Sequence, residues 1–105
     1  MTINEIISMR NSYKAIWTTN IDDFTIQNPS ELNLNHNILN DLFNKFGFQF
    51  TQIDSKLFMN VENDNYHIIR LNGDDSYDYT MFTRIERHDD SCTYIRNSLR
   101  PHFSL

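Results

Sequence analysis

A chain of 105 residues with 39% hydrophobic and 13% aromatic side chains can bury one modest core without metal or disulfide staples, which sets disorder aside and predicts a single compact domain over 1–105. The formal charge of −5 argues against direct nucleic-acid binding, because phosphate contacts need clustered Lys and Arg to release counterions. Cys92 stands alone and so excludes an internal disulfide, apolar runs of two or three residues fall far short of the roughly 20 that cross a bilayer, and no basic-then-apolar leader opens the chain; a cytoplasmic protein without membrane contact is expected.

Thr2 followed by Glu5 forms a capping box, so a helix is predicted over about 3–17 with Ile3, Ile6, Ile7, Tyr13 and Trp17 near one face. Residues 18–36 show no sustained period and read as a loop with a short turn, although Asn28-Pro29-Ser30-Glu31 has the form of a helix start. A second helix is predicted over about 36–46 on the stripe Ile38, Leu39, Leu42, Phe43 and Phe46, ended by Gly47 in a left-handed C′ position. Beyond it five short strands are expected, at about 48–53, 56–62, 66–71, 77–87 and 92–97.

Loop lengths give a register for these strands. A two-residue turn at Asp54-Ser55 sets Phe50 against Met59 and Phe48 against Val61, and a three-residue turn at Asn63-Asp64-Asn65 sets Leu57, Met59 and Val61 against Leu71, Ile69 and His67. The next two loops set Leu71, Ile69 and His67 against Tyr77, Tyr79 and Met81, then Ile85 against Tyr94. All of these fall on one face, which the two apolar helix stripes are expected to cover. The predicted fold class is α+β, with two helices packed on one face of a five-stranded antiparallel meander.

The same register gathers Phe58, Tyr66, Ile68, Arg70, Phe82, Arg84 and Ile95 on the opposite face, where too little chain remains to cover them fully. Aromatics and Arg dominate the energetics of protein interfaces, so an open face of this make-up predicts a protein-binding or homodimerising surface. The competing expectation is that the segment before the second helix, or Pro101 to Leu105, folds across it. Bases stacking on such a sheet would suggest single-stranded RNA, but the charge and the order of elements speak against it.

Turns in a meander alternate ends, which places Asp54, Asp74 and Asp75 at one rim and Glu62, Asp64, Asp89 and Asp90 at the other. Asp and Asn favour turns because they bond to nearby backbone, and that alone accounts for much of the pattern. A functional reading is that the acidic rims imitate nucleic-acid phosphates and enter a basic groove. Abundant Asn and Ile beside one Ala suggest AT-rich coding, compatible with a viral or mobile-element (phage) origin; because such drift should raise lysine, the presence of only Lys14, Lys45 and Lys56 marks the shortage of cations as a property of the protein.

Catalytic signatures are absent. His88-Asp89-Asp90 could ligate a metal, yet consecutive turn residues seldom converge on one ion, and no second His or Cys pair stands at a recognised spacing. Cys92 reads as a buried structural thiol and His67 as a hydrogen-bonded core residue; Asn63-Asp64-Asn65 lacks the glycine and distal glutamate of a calcium loop. The expectation is a small acidic non-enzymatic inhibitor or regulator, without cofactor, whose protein partner has a basic groove, such as a nucleic-acid-processing or defence enzyme. Its partner-binding residues are Phe58, Tyr66, Ile68, Arg70, Phe82, Arg84, Ile95, Asp74, Asp75, Asp89 and Asp90. The alternative is a small metal-dependent or hydrolytic enzyme using His88, Asp89 and Asp90.

Overall fold

The computed structural model describes residues 3–8, 16–20, 33–74, 76–96 and 102–104. It is an α+β fold with two helices, α1 (Ile3–Ser8) and α2 (His36–Phe46), and strands β1 (Ile16–Asn20), β2 (Thr51–Gln52), β3 (Leu57–Glu62), β4 (Asn65–Leu71), β5 (Ser76–Arg87), β6 (Ser91–Arg96) and β7 (His102–Ser104). Six strands run in the order β1-β6-β5-β4-β3-β2, and β7 adds to β5 as a seventh. Every pairing is antiparallel.

The five-strand expectation therefore gains a strand at each end of the chain. Ile16 to Asn20 form β1 instead of closing a long first helix, and α1 spans six residues. A run of β-branched and aromatic residues, Ile16-Trp17-Thr18-Thr19, suits a pleated half-buried surface, and its exposure alternates as a strand requires. Trp17 still reaches the core shared with Ile3, Ile6 and Ile7, but from a strand. Tyr13 and the helix start expected at residues 28–31 lie outside the described residues. His102–Ser104 extends the sheet along β5, so this stretch of the C-terminal segment lies in the sheet and does not fold over a face.

The second helix forms as expected. Asn35 caps it, its side chain accepting a hydrogen bond of 3.2 Å from the Ile38 amide, and buried Gln52 of β2 fixes the approach through Asn35 N (2.8 Å) and Asn33 O (3.3 Å). Gly47 ends it at φ 81°, donating its amide to Phe43 O at 2.8 Å.

The sheet register follows the expectation between β4 and β5, where Leu71, Ile69 and His67 face Tyr77, Tyr79 and Met81. It departs on both sides of β3. The first hairpin loop has three residues, because Asp54 Oδ1 accepts from the amides of Lys56 (2.8 Å) and Leu57 (2.9 Å), so Thr51 rather than Phe50 faces Met59. The second turn has two residues, Asn63 taking φ 55° so that Glu62 faces Asn65; Met59 consequently faces Ile68, and Phe58 faces Ile69. The two departures are of one residue each, so β2 and β4 keep their expected faces relative to each other and β3 is turned over between them. Between β5 and β6 the register shifts at Ile85, leaving Arg84 against Tyr94 in place of Ile85.

The helices lie on opposite faces. Ile3, Ile6 and Ile7 of α1 pack with Trp17, Leu57, Met59, Ile68, Phe82, Cys92 and Tyr94, whereas Leu42 of α2 packs with Phe50, Phe58, Ile69 and Tyr77. Neighbours such as Ile68 and Ile69 go to different clusters, as alternation along a strand demands. Two separate apolar layers result, and the expectation of both helices on one face is corrected.

Adding a Cβ at Gly47 meets nothing within 4 Å, so Gly47→Ala tests backbone conformation alone. Holding alanine in the left-handed region should lower stability by about 1–2 kcal/mol in urea denaturation, through fraying of the end of α2.

Candidate functional site

The surface expected to bind a partner is largely interior. Phe58 is fully buried beside Leu42 and Phe50 on the α2 side, while Ile68 and Phe82 are fully buried on the α1 side. Covering helices on both faces is the physical reason. Tyr66, half-buried, stacks on Phe82 at 5.0 Å and meets Tyr94 edge-on at 5.4 Å. Ile95 is half-buried and, by its pairing with Thr83 and Ile16, lies on the face opposite Phe82. The seven residues drawn together by the expected register thus belong to two faces.

Both arginines of that set carry internal ion pairs. Arg70 Nη2 lies 2.8 Å from Oδ2 of Asp78, whose side chain is fully buried on the α1 side. Arg84 reaches Asp64 Oδ1 through Nη2 at 2.6 Å and Nε at 3.1 Å, and its amide bonds Asp64 O at 2.8 Å. The second pair ties the β3–β4 hairpin tip to the base of the longer β5–β6 hairpin. Arg96 is also fully buried on the α1 side, where desolvation disfavours its charge.

The acidic turns separate into structural and free carboxylates. Asp54 caps its own loop, and Asp74 accepts a hydrogen bond from the Ser76 hydroxyl. Asp75 lies outside the described residues. At the other rim Glu62, Glu86, Asp89 and Asp90 are exposed, and Asp64 is engaged by Arg84. Val61, 47% exposed, and Ile85, 54% exposed, stand among them. The bulge that lifts Ile85 out of register was not legible in the sequence, because an aliphatic residue in a strand pattern is expected to face the core.

Of the catalytic candidates, His88 has a hydrogen-bond partner and Cys92 is buried, while Asp89 and Asp90 are exposed. The His88 imidazole Nε2, just past the end of β5, is 3.1 Å from the Thr93 hydroxyl of β6, which is 2.8 Å from that of Thr18 in β1. Among the described residues no three His, Cys, Asp or Glu side chains gather as an ion site. Cys92 is buried in the α1-side core. A hollow of about 460 Å³ at the entry to α2, lined by Asn33, Leu34, Asn35, His36 and Asn37, contains none of the expected residues. The Ile38 and Leu39 amides there already bond Asn35. Among the described residues no helix is long and apolar enough to cross a membrane.

Compared with protein-family models, with curated proteins and with solved structures, the chain matches none. Its own surface chemistry is therefore what bears on function.

Two measurements separate buried from rim electrostatics. Asp78→Ala leaves Arg70 without its buried counter-ion and should lower stability by about 3 kcal/mol, whereas Asp64→Ala at the exposed pair should change it by less than about 1 kcal/mol; urea denaturation compares them. Burial also pushes Tyr79 up to about 12 and raises Tyr77 and, helped by neighbouring Tyr66, Tyr94. An unfolded chain gives up these phenolic protons near pH ~10 while the folded one keeps them, so stability present below about pH 10 should fall as pH rises toward 12. Thermal melts read beside tyrosinate absorbance check this.

Proposed function

We propose that the chain is a non-enzymatic protein-binding domain, an inhibitor or regulator, and that its working surface is the acidic rim formed by the β3–β4 and β5–β6 hairpin tips. The observation that carries the reading is the charge balance there. Five carboxylates (Glu62, Asp64, Glu86, Asp89 and Asp90) stand against two arginines, Arg84 and Arg87, and Arg84 is already paired with Asp64.

Exposed Val61 and Ile85 among these acids supply the apolar contact that charges alone do not. Salt bridges made at a rim in water are individually weak, so affinity has to come from desolvated groups, while the carboxylates steer approach and choose a partner of opposite sign. A basic groove of the kind that holds nucleic-acid phosphates fits that description. Asp54 and Asp74 contribute less to the reading, because both are committed to their own loops.

The test uses the whole chain as bait in an extract of its native cell, with elution by a salt series. The combined Glu86→Lys, Asp89→Lys and Asp90→Lys variant should lose the captured protein, with an association rate at least roughly tenfold slower at low salt. Asp41→Lys on the exposed side of α2 should retain it. Retention by the triple variant, or capture indifferent to salt, would overturn the proposal.

A further inference from the structure

The strap that joins α2 to β2, residues 47–50, is held to the sheet at two neighbouring points. Phe48 lies over His67, with ring centroids 4.7 Å apart, and the side-chain amide of Asn60 donates to Gln49 O at 2.7 Å. Asn60 and His67 face one another directly across β3 and β4. The strap also carries the end of the helix, since Phe46 packs on Phe48, Phe50, Tyr77 and Tyr79 at 5.0–6.5 Å. Beyond it β2 contributes only two paired residues.

His67 is 9% exposed, and its Nδ1 lies 2.7 Å from the Tyr79 hydroxyl, the imidazole's hydrogen-bond partner among the described residues. The neutral imidazole takes one hydrogen bond in this arrangement, at Nδ1. A protonated one becomes a donor at both nitrogens and carries a full charge beneath an aromatic cover. The facing groups do little to hold that charge. Glu62 of β3 is exposed; Tyr77 and Tyr79 of β5 are phenols; Lys45 of α2, 5.5 Å above the Tyr77 ring, has the same sign; Ile69 and Met81 are apolar. Among the described residues Asn60 Oδ1 is buried without a hydrogen-bond partner, but it is a neutral acceptor.

We propose that His67 is a proton-operated latch: with the ring neutral the strap and α2 are clamped to the sheet, and with the ring protonated the strap lifts, α2 loosens, and the α1 side stays closed. Phe48 packs against the imidazole, so moving it admits water to the ring. Its π face returns less to an imidazolium than hydration does. Opening uncovers Phe50, Phe58 and Ile69, the apolar bed under α2. Burial holds His67 below the ordinary histidine range and outweighs the opposite pull of Glu62. With the closed form resisting the proton, its advantage is intact above pH ~6.5 and declines as pH falls through the closed-state value.

Amide hydrogen exchange, corrected for intrinsic rates and followed between about pH 7.5 and pH 5, tests the latch. In the wild-type chain protection of the α2 amides should fall at least roughly tenfold over this range, while β4, β5 and β6 keep theirs. In His67→Gln, which cannot take the proton, α2 protection should not change with pH. Unchanged α2 protection in the wild type, equal loss across all elements, or the same loss in His67→Gln would each overturn the proposal. If that variant does not fold, side-chain NMR of the wild type decides: Phe48 ring signals must shift with the His67 titration, and their independence sinks the latch.

Discussion

The pairing of β5 along both its edges is the contact on which the rest of the structure depends. One edge carries β4 from Tyr77 to Thr83; the other carries β6 from Phe82 to Arg87 and β7 from Ser76 to Asp78. A strand held on both sides cannot slip by one residue without exchanging its faces, which would drive Asp78, Thr80 and Phe82 out of the α1-side layer and Tyr77 out of the α2-side layer. Both layers are closed by helices, so either exchange would leave a helix against the wrong side chains. The bulge at Ile85 lies beyond the last β4 pairing, where a local change of register leaves those layers intact.

Where one signal dominated, the sequence was readable. α2 has a five-residue apolar stripe and a glycine stop, and its bounds emerged as expected, although Phe43 of the stripe is exposed. The β4–β5 register did too. β3 was misread because Leu57, Phe58 and Met59 are consecutive and all buried. Alternation identifies a face only when the other face is polar, and a strand buried on both sides carries no such contrast. Turn chemistry had to decide, and it depended on two details invisible to a count of loop residues: Asp54 capping two amides, and the positive φ of Asn63. Placing both helices on one face follows from assuming a half-solvated sheet, an assumption consistent with the expected but incorrect register of β3.

Much the same reasoning explains the candidate site. Aromatic and arginine residues in alternation describe an interface when one side is wet, but also a core whose arginines find carboxylates. Arg70 with Asp78 is the second case, joined across β4–β5, while Arg84 with Asp64 is an exposed pair that joins two hairpins. Neither partnership could be read from spacing, because each depends on the register and on which turn approaches which strand. The acidic rims were legible, since turn positions in a meander depend only on strand order. Dividing their carboxylates into loop caps and exposed acids required coordinates.

That division determines which residues can report on binding at all. Phe58 and Phe82 are wholly interior, so shortening either removes packing worth several kcal/mol, and a fall in binding would follow from lost structure whatever surface the partner uses. Glu86, Asp89 and Asp90 are exposed, and substitutions away from core and capping features usually change stability by less than about 0.5 kcal/mol. A change in binding there reflects charge at the surface. His67 falls between these cases, because its protonation alters packing by way of an electrostatic change. Its effect on any partner would depend on whether the apolar bed under α2 or the acidic rim makes the contact, since only the first is opened by acid.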